Sequence, residues 1–253
     1  MTLSGSLLFA RYAFPPNALG YCGPDASPVM AEHLAQGHAD PGLEGLARGF
    51  EGAWPYLRLI AESNGIGDPL EDRVVEAYWV GGPLLDRVRA GALGRFLEET
   101  FRSRAGTSWR VLEGLAGAGG VPHHNLHVFG VYPWLGLLRM GHEAEPMRVL
   151  EACRTRWARV LAVEPGRALV RSRTLAWDGH ALAFGHPTVS WAATEAGGRE
   201  VAPRLAPGDL VSVHWDRVCD RLTRRGARTL HRETLRALAA AQRSSVGPAA
   251  VLS

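Results

Sequence analysis

Apolar residues recur at helical spacing through the first half of the chain and in short alternating runs through most of the second. Leu7, Leu8 and Tyr12 predict a short apolar helix, closed by Pro15-Pro16, because proline removes a helical donor and crowds the preceding turn. Pro28 to Gln36 reads as a second helix, with Ser27 as its cap and proline at the first position. Leu43, Leu46, Phe50, Trp54, Leu57 and Ile60 lie close to one helical face and predict a helix over 43–62 that bends at Pro55. Further helices are expected over 69–79, 84–101 and 108–115. The Gly-rich run 114–120 reads as a loop, and Pro133 turns the apolar segment 128–138 into an irregular stretch entering a helix.

Near residue 153 the period changes. Short β-like runs at 159–163, 168–175, 181–184, 188–193 and 210–213 are separated by turn signals at Pro165-Gly166, Asp178-Gly179, Gly197-Gly198 and Pro207-Gly208. Thr229 to Ala241 then returns to helical spacing. The expected fold class is α+β: a helical N-terminal domain over 1–150, then a small antiparallel OB-like β-barrel with a C-terminal helix over 151–243, and a loose tail over 244–253. The domain junction is expected between residues 145 and 158.

Composition narrows the function. The 253 residues suffice for a real core, and 46% hydrophobic with 21% charged residues is ordinary for a globular protein. A net charge of +3, from 28 basic and 25 acidic residues, is too balanced to predict nucleic-acid binding. Every basic residue is arginine. Schiff-base, pyridoxal-phosphate and Walker-type lysine chemistry are therefore excluded. Cys22, Cys153 and Cys219 are widely spaced, with no C-x-x-C, which predicts a reducing cytoplasm rather than a disulfide scaffold. Met-Thr-Leu-Ser-Gly-Ser lacks a basic leader region and no apolar run reaches eighteen residues, so neither signal peptide nor membrane partner is expected.

Four places could carry chemistry. Cys22 lies between glycines in Gly20–Pro24, open enough for a nucleophile or a metal ligand, or simply a small residue in a turn. His123, His124 and His127 form the densest histidine cluster; they could bind metal with Cys22, serve it as base and orienter, or hydrogen-bond loop backbone. On a helix His123 and His127 would share a face and His124 would point away. Glu76 sits among Val74, Val75, Ala77, Tyr78 and Trp79, where burial would make it a general acid, unless Arg73 pairs with it. On an extended strand Asp216 would face the same way as His214 and could orient it.

The order Cys153, Val160-Leu161-Ala162-Val163, a β-rich stretch, Pro207-Gly208-Asp209-Leu210-Val211-Ser212-Val213-His214, then Arg221-Leu222 and a helix resembles the small HypC/HupF-type hydrogenase assembly chaperones. The likeness runs from Cys153 to Leu238. Here Cys153 is internal, and Arg154-Thr155-Arg156-Trp157 replaces the family's L-x-x-P-G. The whole chain also resembles uncharacterised actinobacterial proteins encoded near hydrogenase genes. The likeness implies that Cys153 and His214 hold iron carrying cyanide and carbonyl ligands; His127, from the histidine cluster, is expected as a further metal ligand. The implied partners are other maturation proteins or a [NiFe]-hydrogenase large subunit. The rival expectation is a cofactor-free biosynthetic enzyme acting on a small aromatic substrate, for example by a Pictet–Spengler-type condensation. Cys22, Glu76, His123 and His124 would be its catalytic groups, and tryptophans its pocket walls.

Overall fold

A computed structural model describes residues 3–105 and 109–244. The chain runs through α1 (Gly5–Ala18), α2 (Ser27–Gln36), α3 (Pro41–Arg48), α4 (Trp54–Ser63), α5 (Asp72–Trp79), α6 (Pro83–Asp86), α7 (Ala90–Ala105), α8 (Trp109–Gly117) and α9 (His124–Leu126). A π-helical turn, His127–Val131, leads into α10 (Trp134–Arg139) and α11 (Ala144–Cys153). Strands follow as β1 (Arg156–Glu164), β2 (Arg167–Trp177), β3 (Leu182–Ala193), the two-residue pair β4 (Glu195–Ala196) and β5 (Arg199–Glu200), β6 (Leu210–His214) and β7 (Arg217–Leu222). Helix α12 (Arg224–Arg243) ends the described chain. The residue expected to start α8, Ser108, and the tail beyond Ser244 lie outside the described residues. Among the described residues no helix is long and apolar enough to cross a membrane.

Besides the range 84–101, which divides into α6 and α7, two helical expectations need correction. Helix α1 does not stop at Pro15-Pro16 but carries both prolines inside it, because its flanks are buried all round and packing outweighs the lost hydrogen bonds. The single bent helix over 43–62 is instead α3 and α4, broken at Gly49–Ala53. Asp40 caps α3 through Leu43 N at 2.9 Å, and Pro55 sits in the first turn of α4, where its missing donor costs little.

The expected antiparallel OB-like β-barrel is also corrected, to a five-stranded mixed sheet. Its pairings run β1-β2-β3-β7-β6 and return to β1, antiparallel at every step except β3 to β7. That step is parallel and rests on a single residue pair, Ala193 with Arg217. Strand β7 has no signal in the sequence, because the turn before it carries no turn residue of the usual kind. Trp215 and Asp216 both adopt left-handed backbone, φ 48° and 54°, as a two-residue hairpin turn requires, though Asn-Gly pairs normally supply it. The runs expected at 181–184 and 188–193 join as one strand, β3.

Alternation gives the sheet a small interior of its own, built from Val160, Val170, Val211, Val213, Val218 and three alanines. Its other side joins the larger core. Leu175, Leu182, Trp215, Cys219 and Leu230 belong to the same buried cluster as Tyr12 and Trp79. Helix α12, capped by Thr223 through Gly226 N at 2.9 Å, packs on α8 and α9 as well as on β1, β3, β6 and β7. The passage from helix to strand at Cys153–Arg156 is thus sealed from both sides.

Candidate metal centre and its cavity

Helix ends and one proline place the centre. The last carbonyls of a helix lack intrahelical donors and must find others. At the end of α11, Ala152 O accepts from Trp215 N at 2.8 Å, and Cys153 O accepts from His124 Nε2 at 2.8 Å. The first bond fixes the β6–β7 turn against α11, and the second fixes α9. His214, the last residue of β6, donates from Nδ1 to Tyr12 O at 2.7 Å. That carbonyl would normally accept the amide four residues on, but this residue is Pro16, which has none. The proline in α1 therefore frees the acceptor that orients His214.

His124, Cys153 and His214 are all buried, and one ligand atom from each lies within 4.8 Å of the other two. Donors sharing an ion at 2.0–2.3 Å are separated by roughly 3.3–3.8 Å, so small side-chain rotations close the gap. Both histidines are committed to one tautomer. A carbonyl accepts only, so His214 carries its proton on Nδ1 and His124 on Nε2. His214 Nε2 keeps its lone pair, is fully buried, and has no hydrogen-bond partner. His124 Nδ1 faces the Tyr78 hydroxyl at 3.3 Å, whose one proton can serve Gly52 O at 3.2 Å instead. Imidazole held by a carbonyl on one nitrogen and bare on the other is the usual condition of a metal-ligating histidine.

Burial sets the protonation states. It lowers His214 to about 4, opposed by the Tyr12 and Cys153 backbone, and holds His124 well below the ordinary histidine range, with His214 adding to the effect. Burial pushes the Cys153 thiol up to about 12, with the Cys22 sulfur adding and Trp215 opposing. Cys22 is likewise pushed up to about 12. Neither thiol is a nucleophile at neutral pH in this state, whereas a bound cation deprotonates a coordinating thiol outright.

The trio opens on a cavity of about 140 Å³ whose walls are almost wholly apolar, with rings from Phe50, Tyr78, Trp79, Tyr132, Trp134 and Trp215. Trp79 stacks on Tyr12 at 5.0 Å and meets His124 at 4.4 Å. Trp215 is covered by Tyr21, with ring centroids 4.2 Å apart. A tryptophan in left-handed backbone is a strained residue, and here it forms part of the cavity wall.

The structure brings five of the seven sequence-derived candidates to this cavity: Cys22, His124, His127, Cys153 and His214. His124, expected to point away, is the third donor of the trio, because α9 is only three residues long and gives way at once to the π-helical turn. His127 lines the cavity with its Nδ1 on Tyr56 Oη at 3.2 Å. His123 instead caps α9, accepting from Asn125 N at 3.0 Å. Glu76 lies on the exposed side of α5; partial desolvation raises its carboxyl, helped by Asp220 and Asp72. Arg73 pairs with Glu71 at 2.7 Å, not with Glu76. Asp216 sits in the turn and pairs with Arg156 at 2.7 Å rather than orienting His214. Tyr12 and Asn125 also position the centre, and nothing in the sequence marks either for that role.

Pro16→Ala tests how the centre is oriented. Restoring the amide gives Tyr12 O a helical donor that competes with His214, so metal affinity should fall about 10–100-fold. Stability should hold or rise, since interior proline costs a helix roughly 3 kcal/mol. Competition with a chromophoric chelator measures the first and urea unfolding the second; unchanged affinity would remove the proline from this role.

Fold and site together define a helical protein with an appended mixed sheet and a buried His/His/Cys centre beneath an aromatic cavity. The chain belongs to DUF6390, a family of unknown function whose model matches residues 1–247. Comparison with curated proteins and with solved structures finds no match.

Proposed function

We propose that the chain acts on or carries a small molecule in the aromatic cavity, and that His124, Cys153 and His214 hold one transition-metal ion at its floor. The observation that carries this is the convergence of three buried donors, one of them His214 Nε2 with no other partner. An orphaned buried acceptor costs about 1–3 kcal/mol, which a ligand recovers. Thiolate with two imidazoles suits iron, zinc or copper. Iron is the first to test, because Cys153 and His214 are the pair that the hydrogenase-chaperone resemblance assigns to it. When bound, the ion would supply Lewis acidity or a place for small ligands. The protein's own residues fix the two imidazoles, exclude bulk water and wall the site with rings.

In the finer form the cargo is an iron–ligand fragment passed to maturation partners or a hydrogenase large subunit. The cavity favours the small-molecule form: a space of about 140 Å³ walled by aromatic rings exceeds what a bare ion needs. That form includes a metal-free variant in which neutral His124 and His214 serve as bases.

Metal analysis of protein purified without oxygen, after expression with iron and zinc supplements, decides between them. About one equivalent in the wild type, lost in Cys153→Ala and retained in Cys22→Ala, supports the metal centre. A folded wild type with no metal removes it and leaves the metal-free pocket.

A further inference from the structure

Strand β3 is paired along one edge only. Its partner there is β2, while β7 meets it at Ala193 alone. Ala193 N donates to Asp216 O at 2.9 Å on the β7 side. The N–H and C=O groups of alternate residues turn the same way along a strand, so Trp191 and Val189 offer theirs to that side too. Among the described residues nothing bonds those groups. Pro187 has no N–H to offer. At the start of the strand Leu182 is already taken, its N–H donating to Gln242 Oε1 at 2.9 Å and its carbonyl accepting from Gln242 Nε2 at 3.2 Å. Two consecutive pairing positions, Val189 and Trp191, are therefore open, and their side chains are exposed at 54% and 37%.

The face around them is basic. Directly opposed residues share a face of the sheet, and the pairs here are Arg159 with Arg171, Arg171 with Val189, Leu169 with Trp191 and Arg173 with Pro187. Arg167, on the same strand as Arg171, lays its guanidinium over the Trp191 ring at 4.1 Å. All four arginines are exposed. Arg167 is paired with Glu164 at 2.7 Å, whereas Arg171 has no hydrogen-bond or ion-pair partner among the described residues. Like charges set directly opposite destabilise a sheet, so the Arg159–Arg171 pair works against the fold that carries it. The bias extends beyond the sheet: residues 151–253 hold 16 arginines against nine acidic residues, and residues 1–150 hold 12 against 16. A partner of this face is therefore expected to be negative.

We propose that the free edge of β3 receives an extended acidic segment of a partner protein, which adds as a further strand at Val189 and Trp191 and sets carboxylates against Arg171 and Arg173. Main-chain hydrogen bonds supply affinity in such strand addition, and the side chains beside the edge supply specificity. The added strand would lie about 9.5 Å from β2, a distance that arginine and glutamate side chains span together. Bare backbone donors and acceptors select a polypeptide over a nucleic acid. The arginines select against a second copy of this chain, which would bring another basic face beside the first. Neither Val189 nor Trp191 lines the aromatic cavity, so the interaction is independent of the metal centre.

Fluorescence anisotropy on the full chain with two labelled, capped peptides tests this, one of alternating valine and glutamate and the other of alternating valine and arginine. The glutamate peptide should bind at least about tenfold more tightly, the effect of a few exposed charge pairs, and added salt should narrow that margin. Arg171→Glu should narrow it by about threefold or more. Val189→Pro removes an edge donor that β2 does not use, so the fold should hold and the glutamate peptide should weaken about fivefold. Hydrogen exchange should slow at the Val189 and Trp191 amides when that peptide is bound. No binding of the glutamate peptide at about 1 mM, equal binding of the two peptides, or an unchanged affinity in folded Val189→Pro each overturns the proposal. So does a dimer of the free chain that Val189→Pro dissolves, which would give the edge to a second copy. Tighter binding of oligothymidylate, lost in Arg171→Glu, overturns it as well, by giving the face to nucleic acid. Should Val189→Pro fail to fold, exchange at Val189 and Trp191 in the wild type decides.

Discussion

His214→Ala is expected to abolish metal uptake and to weaken the fold. The substitution deletes one of three donors and the only imidazole nitrogen in the trio that has no other bond. Loss of an outer partner typically costs 10–100-fold in metal affinity, so loss of a ligand should cost more than about 100-fold. Metal per chain should fall from near one to near zero. The fold loses as well, because the ring meets Trp79 and His124 at 5.4 and 4.9 Å and satisfies Tyr12 O. A new cavity and an unpaired carbonyl together should cost about 2–4 kcal/mol. Tyr12→Phe separates the two effects. It removes the 2.7 Å hydroxyl contact to Ser212 but leaves the Tyr12 carbonyl and all three donors, so it should lose about 1 kcal/mol and keep its metal. Metal retention in His214→Ala, or metal loss in Tyr12→Phe, would show that the trio is not the binding site.

Much of the site could be read from residue types, and little of it from secondary structure. Cysteine in a glycine turn and clustered histidines are unusual wherever they occur, so Cys22, His124 and His127 stood out without any knowledge of the fold. Cys153 and His214 stood out through a spaced pattern rather than through periodicity. The backbone that aims them could not be read. The interior prolines of α1 look like a stop signal, because local propensity counts the lost hydrogen bonds but not the burial that compensates them. The Trp215–Asp216 turn has no glycine or asparagine to betray it, so the sequence carries no sign of β7 and its pattern extends the strand through Asp216. The mixed sheet follows from that strand, since β7 reaches β3 only after the long excursion through β4 and β5. Glu76 was legible in part: desolvation does raise its carboxyl, but the residue is not buried as its sequence neighbours suggest. Apolar neighbours in sequence are not neighbours in space on a helix: Val75 and Ala77 face inward while Glu76 faces out.

The second large effect is expected at Asn125, which sequence reasoning passed over between two histidines. Its Oδ1 accepts from Thr155 N at 2.9 Å, and its Nδ2 donates to Thr155 O at 3.0 Å and to Thr234 Oγ1 at 2.9 Å. One fully buried amide thus joins α9, the start of the sheet and α12. Asn125→Ala leaves a buried backbone donor and a buried carbonyl without partners, each worth about 1–3 kcal/mol, so urea unfolding should show a loss of about 3–5 kcal/mol. The effect should reach the metal. His124 precedes Asn125 and Cys153 lies two residues before Thr155, so the amide sets the distance between two of the three donors. Asn125→Asp keeps the acceptor for Thr155 N, loses both donations and buries a charge, and should be no less harmful. Thr234→Val removes only one of the three bonds and should cost about 1 kcal/mol with metal affinity nearly intact. If Asn125→Ala instead proves as mild as Thr234→Val, the joint between α9 and the sheet is held by packing alone. His124 would then owe its place to the Cys153 carbonyl rather than to its neighbour.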